Sequence, residues 1–263
     1  MKSFLDATGD SVSLEYIKNI NTDSKIDEVN HKILTQKFIT YINVGGMPEA
    51  VATFAEKKSF VELEKIYESL VTGFSDDVYK YSSKARSRHV QFVLEHVPKH
   101  AGQLIKYERF AESNYRGREM HESFDVLEKA MLISRIPASS CLKPPIENNY
   151  KKMPKLIFLD VGLVNYSLGL REQILNMSDL NFLYKGHIAE QVTAQTLILL
   201  SGKNNHGISY WYRDKPGASA EIDFLINHKN TLIPANHLFN FYCVRLGVQS
   251  LRRSIVHKGR EIL

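Results

Sequence analysis

Cysteine is scarce. The chain has two, Cys141 and Cys243, far apart and in no CxxC or CxxH spacing, so neither a disulfide framework nor a zinc site is indicated. Long apolar runs are missing as well. No stretch approaches the roughly 18 unbroken apolar residues of a membrane-spanning helix, and the opening MKSFLDATGD carries too short an apolar segment for a signal peptide. The expectation is a cytoplasmic protein with no membrane partner. Phosphate-binding and hydrolase motifs are also absent. There is no GxxxxGKS or GxxxxGKT, so the backbone cradle and lysine that hold the β- and γ-phosphates of a nucleotide are missing. GxGxxG, GxSxG and HExxH do not occur either. ATP hydrolysis by this chain alone is not expected.

What is present is an ordinary globular composition. Of 263 residues, 43% are hydrophobic and 24% charged, which excludes a disordered or collagen-like chain and suffices for a sizeable core. The net charge of +5 is unevenly placed: Arg245, Arg252, Arg253, Lys258 and Arg260 against Glu261 leave the first 233 residues almost neutral. A basic chain ordinarily points to a polyanion partner. Here the excess describes one tail, either a solvated terminus or a phosphate-binding one.

The first half reads as helical. Phe60, Leu63, Ile66, Tyr67, Leu70, Val71 and Phe74 recur at spacings of three and four, which places them on one helical face over Ser59–Tyr81. Ser59 and Glu62 form a capping-box pattern. The run Ile33–Ile42 ends at Gly45-Gly46, where φ can turn positive, and Pro48 opens the next helix. Three shorter helical patterns follow: Arg88–Val97 closed by Pro98, Lys106–Glu112, and Arg118–Met131. Strand-like runs Met131–Ile136 and Lys155–Asp160 flank a polar, proline-bearing stretch, and three helices followed by a long-tipped hairpin is the order of a winged helix. The second half pairs a helix, Leu183–Leu200, with strands at Ile208–Arg213, Ala220–Ile226 and Thr231–Pro234. The predicted class is α+β: a helical region (1–83), a winged-helix-like domain (84–165) and a small α/β domain (166–263).

Candidate chemistry falls in two places. Glu190 interrupts an apolar helix, and Glu221 and Asp223 share one face of a strand because strand side chains repeat every two residues. Convergent carboxylates of this kind can hold Mg²⁺; the alternative is a solvated strand face, with Glu190 paired to a neighbouring cation. The second place is the helix after Arg116. Arg116, Arg118, His121 and Lys129 could meet DNA phosphates, but Glu119, Glu122, Asp125 and Glu128 share the stretch and oppose docking. Structural packing is the alternative there. His96 and His100, four apart without an acidic third ligand, read as cations at a helix C-terminus. The aromatics are spaced as core residues.

Seven blocks in order, GGMPEAV (Gly45–Val51), DDVYKY (Asp76–Tyr81), HVP (His96–Pro98), KLIFLDVGL (Lys155–Leu163), KGHIAEQVTAQTL (Lys185–Leu197), YWYR (Tyr210–Arg213) and EIDFLI (Glu221–Ile226), resemble the C-terminal region of prokaryotic AAA-type ATPases carrying the domain of unknown function 4143. The resemblance implies that a P-loop domain is absent before Met1 and that the α/β part is a truncated PD-(D/E)xK nuclease fold. In that fold a helix Glu, a strand Asp and an ExK strand hold the metal, and Glu190 and Asp223 are the matching remnants. After Ile233-Pro234 the expected ExK strand and its helix are missing, and Asn236–Gly247 and His257–Leu263 resemble what lies beyond them. With the second carboxylate and lysine gone, no catalysis is expected, and no cofactor.

The expected function is therefore a non-catalytic fragment of that ATPase family, a module binding DNA or protein, with a separate ATPase subunit or a full-length paralogue as a further partner. The alternative is a Mg²⁺-dependent DNA nuclease using Glu190, Glu221 and Asp223, with Arg245 replacing the lysine. A third reading is a degraded gene product with an unpaired sheet edge.

Overall fold

The computed structural model describes residues 1–20, 27–81, 84–176, 187–201, 207–213, 221–228 and 231–235. The fold is α+β. Six helices come first: α1 (Lys2–Ala7), α2 (Ser11–Asn19), α3 (Glu28–Val44), α4 (Pro48–Lys57), α5 (Phe60–Tyr81) and α6 (Lys84–His100). Side chains of Asp10 and Asp27 cap the N-termini of α2 and α3 by accepting from Ser13 and Asn30 N–H groups. The end of α3 is set by Gly45, whose φ of 70° and ψ of −161° suit glycine alone. Pro48 then stands at the first position of α4. Glu62, placed by pattern in a capping box, is engaged instead with Lys57 at 3.3 Å and Lys65 at 3.4 Å.

Two expectations for the next segment are corrected. Pro98 does not close α6, which runs on to His100. The second of the three helical patterns, Lys106–Glu112, holds only a 3-10 turn at Phe110–Glu112, because Arg109, Ala111 and Glu112 all take positive φ, which breaks an α-helical ladder. Phe110, buried among these left-handed residues, packs on Phe124 and His100.

Helix α7 (Gly117–Lys129) leads into β1 (Ile133–Ile136), which pairs antiparallel with β4 (Lys155–Phe158). Between them β2 (Ala138–Ser139) and β3 (Asn148–Asn149) form the base of a protruding tip. Two short helices, α8 (Val161–Ser167) and α9 (Arg171–Leu175), precede α10 (His187–Ser201) and strands β5 (Ile208–Tyr212), β6 (Glu221–His228) and β7 (Thr231–Ala235). These strands join the tip in a sheet of order β3-β2-β5-β6-β7, with β2 parallel to β5 and the other pairs antiparallel.

Alternation along β4 explains how the two cores meet. Leu156 and Phe158 enter the large core built by the helices, whereas Ile157 joins Ile136, Ala194, Leu197, Tyr210 and Phe224 in a smaller core under α10. Every residue of β4 is buried, including Lys155 at 1% exposure. The readings for residues 236–263, including the basic tail, Arg245 and Cys243, lie outside the described residues, as does the start of the predicted helix at 183–186.

Candidate functional site

Helix α10 is largely apolar and carries a row of polar side chains along the joint between β4 and α8, and that row is the site. Glu190 stands in the first turn of α10 rather than mid-helix. Beside it, Gln191 and Gln195 stand at i, i+4 spacing, which keeps them on one face. The Gln191 amide closes a two-way bond with the backbone of Phe158, accepting from its N–H at 2.9 Å and donating to its carbonyl at 2.7 Å. Gln195 accepts from the Val161 N–H at 3.0 Å and donates to Asp160 Oδ2 at 3.1 Å. The amides thus satisfy backbone groups that β4 loses where the strand stops.

At one end of the row lies Asp160, which is 1% exposed. Its carboxylate caps α8 by accepting from the N–H groups of Gly162 at 2.9 Å and Leu163 at 3.2 Å, and it takes a further bond from the Gly46 N–H at 2.7 Å. Burial raises its pKa, and the donors from Gly46, Gln195, Leu163 and Gly162 oppose that rise by solvating the charge. A Cβ on Gly45 would overlap Asp160 Oδ1, so the close approach requires glycine. Next to this junction the last carbonyls of α3 receive side-chain donors from three helices. Asn165 donates to Ile42 O at 2.8 Å, Arg171 reaches Asn43 O at 3.4 Å, and the Tyr67 hydroxyl donates to Val44 O. These are the orphan acceptors of a helix end, and the guanidinium adds a favourable charge there.

At the other end Lys155 Nζ forms an ion pair with Glu190 and lies 3.5 Å from the backbone carbonyl oxygen of Asp223. The Phe224 and Tyr210 rings flank the ammonium with centroids at 4.8 and 5.6 Å. Glu190 is therefore paired with a neighbouring cation, Lys155 of β4, as the alternative reading of this carboxylate had it. Asp223 is buried, Glu221 is exposed, and the two do not lie on a common solvated face. Among the described residues, no three His, Cys, Asp or Glu side chains are placed to hold a metal ion, so Glu190, Glu221 and Asp223 do not assemble one.

The second candidate surface is α7. Met120, Ser123, Phe124 and Leu127 are buried, and Arg116, Arg118, His121 and Lys129 are exposed. The exposed face is interleaved with acids: Arg118 bonds Glu122 at 3.3 Å, Arg86 reaches the same carboxylate at 3.7 Å, and His121 lies 3.4 Å from Asp125. Arg135 of β1 holds Asp125 and Glu128 from the side. Within α7 two cations stand against four carboxylates. His100, expected as a C-terminal cation, has its pKa lowered, chiefly by burial and then by the charges of His96, Lys99 and His187.

These features define an α+β protein organised around a polar joint between one helix and one strand end. The family model described as a domain of unknown function (DUF8612) matches residues 35–174, more than half of the chain, and the chain belongs to that family. No curated protein and no solved structure matches it. The resemblance to AAA-type ATPases with the domain of unknown function 4143 is thereby corrected, and the nuclease-like fold it implied has no matching structure. Several of the blocks that carried that resemblance are joints of the fold: GGMPEAV supplies the Gly45-Gly46 turn, and KLIFLDVGL runs from Lys155 through the Asp160 cap. The matched residues include Gly45, Asp160 and Arg171 and stop before Glu190 and Asp223. No enzymatic family is shown. No helix among the described residues is long and apolar enough to cross a membrane.

Gln191, Gln195 and Asp160 were not singled out from sequence. Their signal is the periodic polar row Glu190, Gln191, Gln195 within an apolar helix.

Proposed function

We propose that the chain is a non-catalytic module that works by surface recognition of DNA or protein. The observation that supports this is the state of Glu190. Its carboxylate is bound to a lysine that is 1% exposed, enclosed by two aromatic rings and unable to reach a polymeric substrate. A general base or metal ligand needs a free lone pair facing the reacting group. In the ion pair Glu190 Oε2 joins β4 to α10, and the lysine beside it is held in the core rather than presented to a scissile phosphate. On α7 the cation–carboxylate pairs weaken its claim as a DNA-docking face, since phosphate binding would have to displace them.

Incubation of the purified chain with supercoiled plasmid and Mg²⁺ tests the reading. The expected result is intact plasmid over hours. Nicking or linearisation that disappears in Asp223→Ala would establish the Mg²⁺-dependent nuclease alternative instead.

A further inference from the structure

The tip between β2 and β4 has the surface chemistry that α7 lacks. Tyr150 is 80% exposed, and among the described residues it is the one exposed large hydrophobic side chain that is aromatic. Its position is fixed by the turn beneath it. Ala138 and Ser139 pair with Asn149 and Asn148, and the Ser140 N–H donates to Glu147 O at 2.8 Å. The Lys151 N–H donates to Asn149 Oδ1 at 3.1 Å, and the Asn148 amide donates to the Tyr150 hydroxyl at 3.3 Å. Lys143 and Lys151 are exposed on the same projection. Lys152 lies over the Tyr212 ring at 3.9 Å, which ties the turn to β5. Among the described residues, the acid Glu147 is exposed on the same projection and Glu221 pairs across the strands with Tyr212. Because the first 233 residues are almost neutral, a local run of cations around an exposed ring is not a by-product of overall charge.

Resting on the non-catalytic reading above, we propose that this tip is a binding surface for single-stranded nucleic acid, with Tyr150 as the platform for an unpaired base and Lys143 and Lys151 as the phosphate-binding cations. An exposed ring flanked by cations is the pairing that single-strand binders use, because every base has a stacking face and the backbone supplies the charge. A duplex hides those faces, so it offers the ring little. The turn is held by its own hydrogen bonds, so little ordering entropy is lost when a strand arrives.

Fluorescence anisotropy of a labelled oligothymidylate against the full chain at low salt, with a duplex in parallel, tests this. The oligothymidylate is expected to bind more tightly than the duplex. Tyr150→Ala should weaken binding by about tenfold or more and keep the salt dependence. Lys143→Glu with Lys151→Glu should weaken binding and flatten the log-affinity against log-salt slope by roughly 0.7 for each phosphate that is no longer neutralised. Arg118→Glu on α7 should leave binding unchanged. All three variants alter exposed side chains, and unchanged circular-dichroism melting shows that they fold. No binding, equal affinity for duplex, or indifference to Tyr150→Ala would overturn the proposal. Shortening of the oligonucleotide when Mg²⁺ is added would remove the non-catalytic reading and leave the binding surface standing.

Discussion

The two ends of the α10 polar row keep a buried charge in different ways. Among the described residues Asp160 forms no ion pair; its charge is spread over three backbone N–H groups and one amide. Glu190 has a single strong partner, the ammonium of Lys155, between aromatic rings. Backbone donors cannot be moved without moving the chain, so the Asp160 end locks three segments, the α3–α4 turn, α8 and α10, into one arrangement. An ion pair stabilises only if both members remain, because each was stripped of water. Damage should therefore behave differently at the two ends: breakdown at Asp160 spreads through the backbone, whereas at Lys155 a matched double change can repair it.

The largest effect is expected at Gly45. Alanine there meets both the Asp160 carboxylate and a backbone region closed to L-residues, and the cost should exceed ~4 kcal/mol. Asp160→Ala, which strands four donors, should cost roughly 4 kcal/mol. Asp160→Asn should cost about half as much, since one oxygen survives while its new NH₂ group faces the Gly46 and Gln195 donors. Urea unfolding with intrinsic fluorescence measures each. A Gly45→Ala protein as stable as the parent would show that the turn and the carboxylate are not locked together.

At the other end, Glu190→Gln leaves an unpaired ammonium in the core and should cost about 3 kcal/mol. Lys155→Met should cost less, because Glu190 is 23% exposed and can turn to water. Combining the two should recover most of the loss, as an apolar group replaces the pair. A double variant no more stable than Glu190→Gln alone would place the cost somewhere other than the broken pair.

The contrast also marks what could be read before the structure. Helix α5 and strands β5, β6 and β7 follow from periodicity, because one buried face writes itself into every third, fourth or second residue. Glu190 stood out because a carboxylate in an apolar helix needs a partner. Lys155 did not, since a lysine at the head of KLIFLD looks like a solvated strand end, and only the packing of α10 and β5 over it reveals its burial. Asp160 reads as the end of a strand-like run rather than as a cap, and its bond to Gly46 spans 114 positions, which no local pattern encodes. The failed helix at Lys106–Glu112 teaches the reverse: favourable residues do not make a helix where Phe110 must enter the core and its neighbours turn left-handed to let it.

The smallest effect should come from His100, at the end of α6, which senses His187 at the start of α10. Its folded pKa lies below the ordinary value of about 6.5, because burial and the charges of His96, Lys99 and His187 disfavour the imidazolium. The unfolded chain then takes up the proton first as pH falls. Its contribution to stability is accordingly complete above about pH 6.5 and declines as pH drops through that value toward the folded pKa. Partial exposure keeps the effect modest. Urea midpoints taken across this window should fall with pH in the parent and fall less steeply in His100→Gln. Because Asp160 carries a raised pKa, its linkage has the opposite sign, with stability greater at low pH and lost as pH rises through its titration, so the two cannot be confused. If His100→Gln and the parent share one slope, the imidazole titrates alike in both states and the contact between α6 and α10 is not read by pH.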